Sequence, residues 1–207
     1  MLSSYSALPL KVNASRGLVS SRVIKTLAKW SVDDYHRMIA AGILRDRPVE
    51  LLAGDIVEMS PETPLHYALA KQGAKYLETL LAGRAEVRFN GPITLSDSEP
   101  EPDVAIARLP TSTYFDRHPT PSDIYWVVEV AKISLKKDLQ LKSGIYAAAN
   151  IPEYWVVNLQ TQQLVVFREP QEGRYTQEQT LTQGTLAPLA FADISVSVER
   201  LLVAIAD

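Results

Sequence analysis

Three residues have types and spacing that suit phosphodiester chemistry: Asp103, Glu129 and Lys142. Glu129 interrupts "IYWVVEVA", the most apolar stretch of the chain. Alternate residues of a strand share a face, so Tyr125, Val127, Glu129 and Ala131 fall on one side and Ile124, Trp126, Val128 and Val130 on the other. A strand apolar on both sides is covered on both sides. Glu129 is therefore expected to be at least partly buried, and a buried carboxylate is costly unless it is paired or bound to a metal. A structural ion pair and a strand end that reaches solvent are the other readings.

Lys142 lies in the helix expected next. At about 100° per residue, Leu135, Leu139, Lys142, Tyr146 and Ala149 form one narrow stripe, which sets the ammonium on the buried face. Two ordinary explanations compete: an i,i+4 pair with Asp138, worth a few tenths of a kcal/mol, and a buried stem with its head in water. Asp103 opens the strand "DVAIA" after a proline, on the face of the small residues Ala105 and Ala107; the alternative is ordinary Pro-Asp turn chemistry. Two neighbouring carboxylates are the usual minimum for Mg2+, with Mn2+ as a substitute. A lysine beside them stabilises charge on an attacked phosphoryl group and orients water. Lys132, Lys136 and Lys137 stand in the same eleven-residue stretch as Lys142, a local basic patch suited to phosphate contacts.

The bulk properties set limits on this reading. The chain has 207 residues, 46% of them hydrophobic, enough for one domain with a sizeable core. A net charge of −3 confines any nucleic-acid contact to a local patch. There is no cysteine, which excludes disulfides, thiolate zinc sites and cysteine nucleophiles. Phosphate-cradling and dinucleotide glycine motifs are absent, as is a nucleophile elbow. The three histidines, His36, His66 and His118, make no His-Glu-x-x-His pair. No apolar stretch reaches membrane-spanning length, and a cytoplasmic location without membrane contact is expected. Residues 1–30 are rich in serine and basic residues and contain no acid, a composition shared with transit peptides; they are read as a mobile N-terminal arm, and residues 31–207 as a single domain.

The elements that must position the three residues follow from caps and breakers. Ser31 and Asp34 form a capping box for a helix ending near Gly42. "PVELLAGDIVEMS" reads as a hairpin turning at Ala53-Gly54-Asp55. Thr63-Pro64 starts a helix to Leu81. Strands are expected over 85–89, 92–95, 102–107 and 124–131, then a helix over 135–149 closed by Asn150 and Pro152. A hairpin over 154–158 and 164–168, one or two weak strands and a helix near 198–206 complete an α/β or α+β order around a mixed sheet.

"PEPDVAIA" and "YWVVEVAKISLKKDLQLKSGIYAAANIPEYWVVNL", with "SVDDYHRMIAAGIL" and "VELLAGDIVEMSP", resemble the Uma-two family of restriction-endonuclease-like proteins, a branch of the PD-(D/E)XK nuclease superfamily. The resemblance runs from Ser31 to the end. It implies a restriction-endonuclease-like mixed sheet flanked by helices, with an added N-terminal helix and hairpin, and a Mg2+-dependent endonuclease acting on DNA. A non-catalytic nucleic-acid-binding protein with a relic site is the alternative. Carried over, Asp103 and Glu129 match the two acids, with the Val130 backbone carbonyl as a further metal ligand. The superfamily lysine belongs two residues after the second acid, where this chain has Ala131. Lys132 is next to that place but is expected on the opposite strand face, and Lys142 occupies the position to which the lysine has migrated. Glu50 matches an acid of the family's first hairpin and His66 a position at a helix start; a solvated strand residue and a capping or core histidine are their ordinary readings. Cutting two strands calls for two sites, which makes a homodimer plausible.

Overall fold

The computed structural model describes residues 27–202. Most of the expected N-terminal arm and the last residues of the expected C-terminal helix lie outside them. Lys29 and Trp30 are described and hold the first hairpin: the Trp30 N–H donates to the Gly54 carbonyl at 2.9 Å, and Lys29 Nζ meets Asp55 at 2.6 Å.

Helix α1 (Val32–Ala40) begins at Ser31 with the expected reciprocal Ser31–Asp34 cap. Strands β1 (Val49–Leu52) and β2 (Asp55–Glu58) pair antiparallel. Their turn has Ala53 and Gly54 both at positive φ, which matches the twist that two-residue hairpins require. Helix α2 (Pro64–Leu81) is capped by Thr63 and closes at the left-handed Ala82.

The main sheet has six strands in the order β3 (Glu86–Phe89), β4 (Val104–Ala107), β5 (Ile124–Ala131), β6 (Glu153–Asn158), β7 (Gln163–Gln171) and β8 (Arg174–Leu181). Only β5 and β6 run parallel. A parallel neighbour needs a crossover, and residues 135–148 supply it as a helix. Its middle, Lys137–Lys142, is a π-helical segment, and its end, α3 (Ser143–Ala148), is α-helical. A small pair, β9 (Thr185–Leu186) with β10 (Val196–Ser197), and α4 (Glu199–Leu202) follow. The result is the expected mixed sheet flanked by helices.

Each face of the sheet has its own core. Leu77 and Leu81 of α2 and Leu201 and Leu202 of α4 pack with Val104, Ile106, Trp126, Val128, Trp155 and Val166. On the other face Ile145 and Tyr146 of α3 pack with Ala105, Val127, Ala131, Tyr154, Val156 and Phe167, joined by Leu52 of the hairpin. Trp126 and Trp155 are fully buried, with ring centroids 5.4 Å apart.

Three local expectations change. Residues 92–95 form no strand: Ile93 and Leu95 are buried as an alternating pattern implies, but their N–H groups donate to the Pro100 and Ser98 carbonyls in a loop. Tyr125 leaves the face of Val127. Ala107 pairs with Ile124 and Ile106 with Trp126, so Tyr125 is the extra residue of a bulge and its ring meets Phe191 on the α2 side. Strand β8 carries mostly exposed polar residues, so it has no hydrophobic signature; pairing along β7 makes it a strand.

Candidate active site

Asp103 ends the loop before β4, and Glu129 lies near the end of β5. Both are on the sheet face covered by residues 135–148. A cavity of about 380 Å³ opens there, and Asp103, Glu129, Lys142, Glu50, His66 and Lys132 all line it. The three residues singled out from the sequence thus converge, together with both further candidates.

Lys142 is 3% exposed, so its head does not reach water. Its Nζ lies 2.8 Å from Glu129 Oε1 and 3.1 Å from Glu50 Oε2. Asp138 is not within ion-pair distance of Lys142, although both are buried; the local i,i+4 pair is replaced by partners from β5 and β1. Glu50 is fully buried rather than solvated, because Lys137 Nζ also meets its Oε1 at 2.7 Å. The π-helical segment allows this crowding. The Ser143 N–H donates five residues back to the Asp138 carbonyl, and the wider turn brings Asp138 and Lys142 inward together while Leu139, expected in the core stripe, is only half-buried.

Asp103 is fixed from two sides. The Val130 N–H donates to Oδ2 at 2.6 Å, and His66 Nε2 lies 3.3 Å from the same oxygen. The observed contact of Val130 is through its nitrogen. The helix cap is Thr63 rather than His66: the His66 backbone N–H donates to Thr63 Oγ1 at 3.3 Å, and the imidazole faces the two acids.

The electrostatics follow from burial and charge. Burial pushes the Glu129 carboxyl up to about 8, against the pull of Lys142. Burial pulls the Lys142 ammonium down, but Glu129, Glu50 and Asp138 more than reverse this, and it stays protonated. Burial opposes ionisation of Glu50, while Lys142 and Lys137 outweigh it and hold Glu50 below its ordinary value. Hydrogen bonding to Asp103 is the main influence that raises His66 to about 9.

The basic patch divides. Lys132 lies beyond the end of β5, where strand alternation no longer applies, and it borders the cavity instead of facing away from it. Lys137 is tied to Glu50, and Lys136 is exposed and does not line the cavity. Four residues were missed. Asp138, 2% exposed, and Glu62 and Glu101 also line the cavity, and the Tyr146 hydroxyl donates to Glu129 Oε1 at 2.9 Å. The Ser134-x-x-x-Asp138-x-x-x-Lys142 spacing was the available signal for Asp138; Tyr146 was read as part of an apolar stripe, which hid its hydroxyl.

The donors present fit a hard divalent cation. Both contacts of Glu129 use Oε1 and both of Asp103 use Oδ2, so among the described residues Glu129 Oε2 and Asp103 Oδ1 take no hydrogen bond. Six carboxylates line the cavity with three lysines and one histidine, so oxygen donors predominate there, as a hard cation requires.

The mixed sheet flanked by helices is a nuclease-like fold. A crystal structure of a "putative nuclease" of the DUF820 group from Anabaena variabilis superposes with a TM-score of 0.64 at 14% identity, covering 83% of this chain and 97% of that one. The profile of the Uma2 family, described as "Putative restriction endonuclease", matches residues 32–199, and the chain belongs to that family. No curated protein matches it.

Proposed function

We propose that the protein is a Mg2+-dependent endonuclease that hydrolyses DNA phosphodiester bonds. The observation that carries this is the pair of free carboxylate oxygens, Asp103 Oδ1 and Glu129 Oε2, in one cavity with the Lys142 ammonium 2.8 Å from Glu129. Asp103 and Glu129 would hold the metal, with the Val130 carbonyl as the further ligand. When bound, the ion polarises a phosphoryl oxygen and lowers the pKa of its water. Lys142 keeps its proton and is fixed by Glu50 and Glu129, so it supplies a preorganised positive charge for the attacked phosphate without reorganising. Tyr146 holds Glu129 in its rotamer. Lys132, at the cavity edge, meets the nucleic-acid backbone. A homodimer would bring one such site to each strand.

A relic-site reading has one observation behind it: Lys142 and Lys137 are already neutralised by buried acids. It predicts nucleic-acid binding without cleavage. Incubating supercoiled and linear DNA, and RNA, with Mg2+ or Mn2+ tests the proposal. DNA nicking that is lost in Asp103→Asn and Glu129→Gln supports it; binding with no cleavage under either ion replaces it with the relic-site reading.

A further inference from the structure

We infer that His66 Nε2 and Asp103 form a seat for a nitrogen-accepting divalent cation, of the manganese and zinc class rather than magnesium, with Glu62 orienting the imidazole. The inference rests on the proposed nuclease reading only in that both use Asp103.

The ring of His66 spans two carboxylates from different parts of the chain. Nε2 lies 3.3 Å from Asp103 Oδ2, and Nδ1 lies 3.2 Å from Glu62 Oε1. Both distances are longer than a closed charge-assisted bond of about 2.7–2.9 Å. His36 makes the contrast: a single nitrogen, Nε2, meets both oxygens of Glu99 at 2.8 Å, a closed contact.

A histidine that binds a metal through one nitrogen almost always donates the other N–H to a carboxylate, which fixes its tautomer and its plane. The Glu62–His66–Asp103 arrangement has that form, with Nε2 directed at the acid and Nδ1 held from behind. The supports are rigid. Thr63 Oγ1 accepts the His66 N–H in the first turn of α2, and Val130 anchors Asp103. Two ligands at about 2.0–2.2 Å from one ion lie at most about 4.4 Å apart, and His66 Nε2 and Asp103 Oδ2, 3.3 Å apart, meet that limit.

The donor set decides the ion. Mg2+ takes oxygen and keeps its waters, whereas imidazole suits zinc and other first-row metals. The free oxygens of Asp103 and Glu129 form an all-oxygen position, and the His66 side forms a mixed one, with Asp103 between them.

The test uses the full chain without nucleic acid and with its three histidines labelled with 15N in the ring, the His66 signals being assigned by their loss in His66→Gln. Zn2+ is expected to move His66 Nε2 to a metallated position while His36 stays in place, and equal Mg2+ is expected not to metallate it. Glu129→Gln should keep the zinc response, Asp103→Asn should lose it, and Glu62→Gln should weaken zinc affinity by about tenfold or more. An unmoved Nε2 under saturating Zn2+, or an undiminished response in Asp103→Asn, overturns the inference. Metallation in a protein that cleaves nothing leaves the seat standing and removes the nuclease reading. Mg2+-driven cleavage with an inert His66 does the reverse.

Discussion

Lys142 Nζ lies 3.1 Å from Glu50 Oε2, which joins the crossover helix of the main sheet to a hairpin outside it. The same ammonium meets Glu129 of β5 at 2.8 Å. One buried cation therefore neutralises acids from two separate layers, and its removal affects stability as well as chemistry.

Lys142→Ala leaves Glu129 without a cation partner and Glu50 with Lys137 alone. Burial already raises Glu129 to about 8, and without Lys142 it takes up a proton at neutral pH, so what is lost is the buried pair itself; breaking such a pair costs up to about 3–5 kcal/mol. Glu129→Gln in the same chain relieves much of that, so the double variant should be more stable than the sum of the singles by about 1–3 kcal/mol. Urea unfolding of the four proteins measures the coupling. Additive effects would mean that the two side chains do not interact in solution.

The pair of free oxygens sets the second expectation. Mg2+ binding measured by calorimetry should weaken at least tenfold in Glu129→Gln and in Asp103→Asn, as expected for loss of a hard oxygen ligand. Unchanged binding in both would place the ion away from these strands.

Much of this site was legible in the sequence because period and polarity conflict there. Glu129 in an apolar strand and Lys142 on a buried helical stripe are visible anomalies. Glu50 carries no such local signal: its burial depends on Lys137 and Lys142, far away in the chain, and only the family resemblance pointed to it. Asp138 shows in the sequence only as the i,i+4 neighbour of Lys142. Its burial comes with the π-helical segment, which a pattern read at α-helical spacing does not register. Among the strands, β8 fell only within the one or two weak, unplaced strands expected after the hairpin, because its stability comes from hydrogen bonds along β7 rather than from buried side chains. The Glu of "IPEYW" is the converse case. Glu153 is as buried as Glu50, but it is closed by Arg168, the Trp155 indole N–H and the Leu189 N–H, so burial there is structural.

A pH effect should appear at the entrance to β5. Asp123 is held down at about 2, first by Arg117 and then by the Thr120 N–H and hydroxyl. A depressed acid stabilises the fold fully above its unfolded value of about 3.9 and loses that contribution as pH falls through the folded value. The melting temperature of the parent should therefore exceed that of Asp123→Asn by a constant margin at pH 5–7, and the margin should shrink steadily from about pH 4 toward pH 2. A gap that does not change with pH would show that the carboxylate charge contributes nothing there.

The two lysines nearest the strand end should separate cleanly by function. Lys142 is buried and bound to two acids, whereas Lys132 is exposed on the cavity edge with no ion pair among the described residues. If Lys142 supplies the preorganised charge, Lys142→Ala should lower DNA cleavage by about two orders of magnitude or more. Because that variant is also less stable, the rate must be taken per folded molecule, at a temperature where circular dichroism shows it folded. Lys132→Ala should keep the chemical step and weaken DNA binding at low salt, with the slope of log affinity against log salt falling by about one, the signature of a lost phosphate contact. The decisive comparison is single-turnover cleavage and equilibrium binding of both variants at two salt concentrations. Cleavage abolished by Lys132→Ala and retained by Lys142→Ala would return the catalytic lysine to the strand end and leave Lys142 as the structural counter-charge of Glu50 and Glu129.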